Sequence, residues 1–177
     1  MALVAVVGLG ACSTSGTPTA APTFPGFPSN IGGTPSIAAA KAGFEKVLEK
    51  DPRDQYAWYD LGVIAESEKD PKAAADDYKR AIAIQGNFES ALYNLGLMRL
   101  QAHDYPTAVA LLSRAAAANP KDANALFQLG LALANLHTAA TDARALVELR
   151  AAGRIDPKLL EAVPTGLFGP TSTTRAR

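Results

Sequence analysis

Trp58-Tyr59-Asp60-Leu61-Gly62, Leu92-Tyr93-Asn94-Leu95-Gly96 and Leu126-Phe127-Gln128-Leu129-Gly130 are one pattern read three times, each copy 34 residues after the last. A glycine inside a helix costs about 1 kcal/mol relative to alanine. Three at one phase therefore point to a neighbouring helix that needs the space a side chain would take. Working outward, the first copy is followed by Ala74, Tyr78 and Ala81, and the second by Ala108, Leu112, Ala115 and Pro120. The third is followed by Ala145, Leu149, Ala152 and Pro157, in register once three residues are inserted around His137 to Thr141. Upstream, Ala40, Phe44, Val47 and Pro52 read as the second half of an earlier unit. The small residues Ala74, Ala108 and Ala145 are expected to supply the surface that faces the glycines.

Helix ends follow from the same alignment. Asp51-Pro52, Asn119-Pro120 and Asp156-Pro157 stop helices because a residue before proline avoids the α region, and Gly86 is expected to stop one through a left-handed cap. The pattern predicts helices over 36–50, 54–68, 71–84, 88–101, 104–118, 122–136 and 142–154, each with an apolar stripe at helical spacing, and no strand. The fold class is all-α.

Over residues 36–157 the landmarks resemble the tetratricopeptide repeat, with its W-x2-L-G…A-x3-F…P signature. Departures are Ala65, Arg99 and Leu133, where the family often has Tyr, and Gly86 in place of the closing Pro. The resemblance implies a right-handed superhelical stack of antiparallel helix pairs, about three and a half repeats here. It also implies a concave side lined by the first helix of each unit. On that side the candidate groove residues are Tyr56, Tyr59, Asp60, Val63, Tyr93, Asn94, Leu97, Asn124, Phe127, Gln128 and Leu131. Aromatic faces beside amides suit an extended peptide segment of a protein partner. Lys and Arg are missing from these positions, which argues against capture of a C-terminal carboxylate. With Asp60 and Glu66 nearby, an uncharged or weakly basic peptide fits better.

Composition and the chain ends bound the remaining possibilities. With 17 basic and 17 acidic side chains there is no net charge to favour nucleic acid. An apolar run, Ala2 to Leu9, leads into Leu9-Gly10-Ala11-Cys12, which resembles a bacterial lipobox. That resemblance implies a signal peptide over 1–11, acylation of Cys12 and a lipid-anchored envelope protein outside the cytoplasmic membrane. No Lys or Arg precedes the run, which leaves open either an upstream start or no signal at all. Val7-Gly8-Leu9-Gly10 is no dinucleotide fingerprint, since Ser13 stands where its third glycine would be.

Residues 12–35, rich in Ser, Thr, Pro and Gly, read as a linker. Its Phe24, Phe27 and Ile31 offer two destinations, the unpartnered side of helix 36–50 or the domain's own groove. The repeat domain is expected over 36–163, closed by Leu159, Leu160 and Val163 with Leu167 and Phe168, and residues 164–177 form a flexible tail. His103 and His137 sit 34 residues apart on turns, too few ligands for a metal. No cofactor, metal or catalytic residue is expected, and the chain reads as a scaffold or assembly factor rather than an enzyme. The competing reading is a structural protein that forms a homodimer through its uncapped N-terminal half-repeat.

Overall fold

The computed structural model describes residues 36–164 and 167. Cys12, the linker residues Phe24, Phe27 and Ile31, and Phe168 with the rest of the C-terminal tail apart from Pro164 and Leu167 lie outside the described residues. Seven α-helices run through the described part: α1 (Ile37–Lys50), α2 (Gln55–Ser67), α3 (Pro71–Ile84), α4 (Glu89–Gln101), α5 (Tyr105–Ala118), α6 (Ala123–Ala134) and α7 (Ala139–Ile155). A 3-10 helix, Pro157–Ala162, follows. No strand occurs among the described residues. The helices pair as α2 with α3, α4 with α5 and α6 with α7, and the pairs stack into a right-handed superhelix that α1 opens as half a unit.

Side chains start most of these helices. Ser36, Asp54, Asp70, Asp104, Asp122 and Thr138 each accept a hydrogen bond from a backbone N–H of the first turn. Each such cap stabilises by about 1 kcal/mol. Phe88 makes no such bond at the head of α4, where Glu89 instead places a negative charge in the first turn. Helix α7 starts three residues earlier than the sequence pattern implied. Thr138 and Thr141 cap one another reciprocally, which turns the insertion into an extra helical turn. Three residues are close to the 3.6 of a full turn, so Ala145, Leu149 and Ala152 keep the buried face of their counterparts.

The glycines mark where helices touch, but the neighbour differs from the one expected. A Cβ on Gly62 would lie 2.6 Å from the Tyr78 ring, one on Gly96 2.8 Å from Leu112, and one on Gly130 2.7 Å from Leu149. The gap is filled by the large side chain four residues after each alanine, and at Gly130 the Ala145 carbonyl also approaches, to 3.2 Å. Tyr78 and Leu112 are fully buried and Leu149 nearly so. The same device closes the stack: a Cβ on Gly153 would lie 2.5 Å from Leu160, while Leu159, Val163 and Leu167 pack onto the core of α4–α7.

Two backbone details complete the turns. Lys69, His103 and His137 hold positive φ of 61°, 58° and 51°, so the turn inside every pair passes through the left-handed region without a glycine. Gly86 is outside that region. Helix α3 ends as the proline-terminated helices do, at an extended Gln85 whose N–H donates to the Ala81 carbonyl. Gly86 therefore occupies the proline's place in the turn and not a left-handed cap.

Candidate peptide-binding groove

Helices α2, α4 and α6 carry the eleven candidate residues at corresponding phases, and the fold treats them unequally. Tyr56 and Asn124 are exposed; Tyr59, Val63, Tyr93, Asn94, Leu97, Gln128 and Leu131 are half-buried. Phe127 is only 6% exposed and belongs to the core shared by α4–α7. Its ring packs inside the stack and is unavailable to a ligand, which corrects the expected ladder of three accessible rings. Asp60 is also 6% exposed.

The first part of the groove is held by the fold's own bonds. Asn94 Nδ2 donates to the hydroxyls of Tyr59 (3.4 Å) and Tyr78 (3.2 Å), and Tyr78 donates to Glu66 Oε2 at 2.7 Å. The Tyr59 ring lies tilted on Tyr78 (5.7 Å) and edge-on to Phe88 (5.4 Å), while Tyr56 meets Phe88 edge-on at 5.3 Å. Tyr59 and Asn94 therefore tie neighbouring units together. The second part differs. Among the described residues, the side chains of Tyr93, Asn124 and Gln128 have no hydrogen-bond partner in the fold. Leu97 lies one turn after Tyr93 on α4 and Leu131 one turn after Gln128 on α6, so apolar side chains neighbour polar groups with bonding capacity to spare.

Acidic groups border these rings. Burial, and then the neighbouring Asp122, hold the Glu89 carboxyl above its ordinary range. Burial raises Tyr93, with the negative charges of Asp122 and Glu89 adding to it. Tyr59 is raised mainly by burial, against the hydrogen bond from Asn94. Asp60 is pushed up to about 6 by burial and by Asp54. Tyr78 is raised by burial and by its bond to Glu66. Glu89, Asp122 and Phe88 were not among the residues singled out from sequence, because each lies at a helix start that the periodic landmarks leave out. An acid in the first turn of α4, Glu89, and an aspartate at the N-cap of α6, Asp122, are the signals that could have found two of them.

Elsewhere on the surface, a concavity of about 330 Å³ is lined by Pro71, Lys72, Ala75, Asp76, Lys79, Met98, Arg99 and Ala102. Another of about 620 Å³ lies between α1, α2 and α3 around Trp58, over which Arg80 stacks at 4.4 Å. Neither includes a candidate groove residue. His103 Nδ1 and the Tyr105 hydroxyl are 2.8 Å apart, and the described residues hold no cluster of three or more metal-ligating side chains. No helix of the described part is long and apolar enough to cross a membrane.

The family profile described as tetratricopeptide repeat matches residues 36–92 and 93–159. The chain belongs to the tetratricopeptide repeat family. Among solved structures it is similar to YrrB, described as a TPR protein with an unusual peptide-binding site, with a TM-score of 0.63 and 28% identity. That match covers 71% of this chain and 63% of YrrB. It is also similar to MamA, at a TM-score of 0.62 and 24% identity over 71% of this chain and 72% of MamA. A further MamA structure, MSR-1, has a TM-score of 0.57 and 29% identity over 72% and 78%. No curated protein matches the chain.

Proposed function

We propose that this tetratricopeptide protein is an interaction scaffold that holds an extended, weakly basic segment of a partner protein along α4 and α6. The observation that carries the reading is the division within the groove. Tyr59 and Asn94 are used by the fold, whereas Tyr93, Asn124 and Gln128 keep unspent hydrogen-bonding groups beside Leu97 and Leu131 and next to the acidic pair Glu89 and Asp122. A peptide backbone supplies the donors and acceptors those amides lack, and Lys or Arg on the peptide meets the carboxylates. YrrB, whose description includes a peptide-binding site, supports the reading by its likeness.

The second half of the proposal concerns location. Cys12 is acylated and tethers the domain to a bacterial envelope membrane, outside the cytoplasm. The Leu9-Gly10-Ala11-Cys12 stretch supports this. A tether raises the local concentration of a weakly bound partner, so modest affinity suffices.

Selection of displayed random peptides tests the groove. Enriched peptides should carry Lys or Arg, and their Kd should rise at least about tenfold, or 1.4 kcal/mol, in Asn124→Ala/Gln128→Ala. Neither side chain bonds within the fold, so melting should be unchanged. Equal binding by the double variant overturns the groove. Intact-mass measurement of membrane-extracted protein tests the anchor, with acyl chains expected on Cys12 and an unmodified thiol contradicting it.

A further inference from the structure

Arg99 stands at a position that the other repeats give to their core. One period earlier it is Ala65 and one period later Leu133, 4% and 2% exposed. The arginine is half-buried, and among the described residues its side chain makes no hydrogen bond or ion pair. A charge drawn partly out of water without a partner costs stability. Its place in the last turn of α4 suits the helix dipole, but a fully exposed cation would serve the dipole as well. Helices α2 and α6 end with no basic residue in that turn.

Arg99 borders the concavity of about 330 Å³ between the start of α3 and the end of α4. Lys72 and Lys79 line it too, against a single carboxylate, Asp76. Lys79 pairs with that acid at 2.9 Å, which leaves Lys72 and Arg99 without an ion pair among the described residues. The hydrogen bond from Lys79 holds the Asp76 carboxyl below its ordinary range and the charge of Lys72 adds to it, so the surroundings are positive. The repeat itself does not require this charge. One period on, Lys72, Asp76 and Lys79 become Pro106, Ala110 and Ser113.

Apolar groups complete the wall, among them Pro71, Met98 and Ala102. An inorganic anion would satisfy the cations and leave this wall in water. The volume lies near the lower end of ligand pockets, about 300–1,000 Å³, which suits one or two side chains. An acidic side chain with an apolar neighbour meets both needs. The guanidinium offers a carboxylate two parallel donors, and the pliable Met98 thioether can pack on the apolar group.

We propose that this concavity is a second docking site, which takes the carboxylate of an Asp or Glu together with an adjacent apolar side chain from a segment of a partner protein. Arg99 holds the carboxylate and Lys72 adds charge at the rim. The site shares no residue with the groove along α4 and α6 and stands whether or not that groove is occupied.

NMR titration of the full chain with a blocked hexapeptide of alternating Glu and Leu, with its Gln counterpart and with inorganic phosphate tests the site. The Glu peptide should give saturable shifts at the Arg99 side chain and the Met98 methyl and bind at least about tenfold more tightly than the Gln peptide. Arg99→Leu, which copies Leu133, should weaken the Glu peptide at least about tenfold while Tm is unchanged or higher. Equal binding of the two peptides, no saturable shift, or shifts centred elsewhere overturns the proposal. Phosphate that binds as tightly as the Glu peptide and displaces it would make the ligand a free anion and overturn the assignment to a protein segment. If Arg99→Leu melts earlier, the exposed Lys72 decides: Lys72→Gln should weaken the Glu peptide about threefold, and unchanged binding overturns the site.

Discussion

Replacing Gly62 with Ala decides whether the repeated glycine saves space or merely sits in a helix. A Cβ at this position would stand 2.6 and 2.7 Å from two carbons of the Tyr78 ring. Carbon atoms rest at about 3.5–4.0 Å, so the overlap is close to 1 Å. The ring is fully buried and its hydroxyl is bonded to Glu66 and Asn94, so it cannot swing aside without breaking those bonds. Overpacking of this kind costs about 1–3 kcal/mol, and a rigid ring places it in the upper part of that range. Alanine's better helix propensity offsets about 1 kcal/mol. The net expectation is a loss of about 1–2 kcal/mol, read from urea unfolding at constant slope. Gly96→Ala and Gly130→Ala meet leucines that can change rotamer and should cost less. In a Tyr78→Ala background the obstruction is gone and Gly62→Ala should become stabilising. A gain of about 1 kcal/mol from Gly62→Ala alone would refute the argument, since propensity would then be the only effect at work.

Other perturbations have signs fixed by the structure. Gly86→Pro should stabilise by about 0.4–1 kcal/mol in thermal melts, because the preceding Gln85 is already extended and Gly86 is outside the left-handed region. Lys69→Gly should also stabilise, by up to about 1 kcal/mol, by relieving a left-handed lysine whose side chain makes no hydrogen bond or ion pair among the described residues. Asp60 has a folded pKa of about 6, above its ordinary 3.8, so the native state holds this proton more tightly than the unfolded chain. Stability from this group is therefore complete below about pH 4 and lost as pH rises through about 6. Asp60→Asn should raise Tm at pH 7.5, by no more than about 2 kcal/mol of stability, with the gain vanishing at pH 4; a gain independent of pH would point to a cause other than charge burial.

Much of this fold was legible in the sequence because the repeat states its own register. The period of Gly62, Gly96 and Gly130 located the helix contacts, and Pro52, Pro120 and Pro157 located the helix ends to within a residue or two. What filled each gap was not legible. Small facing small was the simple expectation, yet helical side chains lean toward the preceding turn, so the large residue one turn beyond the alanine enters the space. Gly86 misled for a related reason: glycine permits a left-handed cap without requiring one, and the extended Gln85 had already ended α3. The left-handed turns at Lys69, His103 and His137 carried no glycine to announce them.

The groove was legible in phase but not in depth. Period alone puts Tyr59, Tyr93 and Phe127 on one line, whereas the packing of α4–α7 draws Phe127 into the core and the Asn94 amide ties Tyr59 to Tyr78. Which polar groups remain unpaired depends on these contacts between units, and no single repeat encodes them.

Chemical-shift mapping of the domain with a Lys- or Arg-containing peptide enriched from the random library tests the central claim most directly. Shifts should concentrate at Tyr93, Leu97, Asn124, Gln128 and Leu131 and weaken as salt rises. Shifts clustered instead around Lys41, Trp58 and Arg80 on the outer concavity, or no saturable shifts at all, would contradict the assignment of α4 and α6 as the binding face.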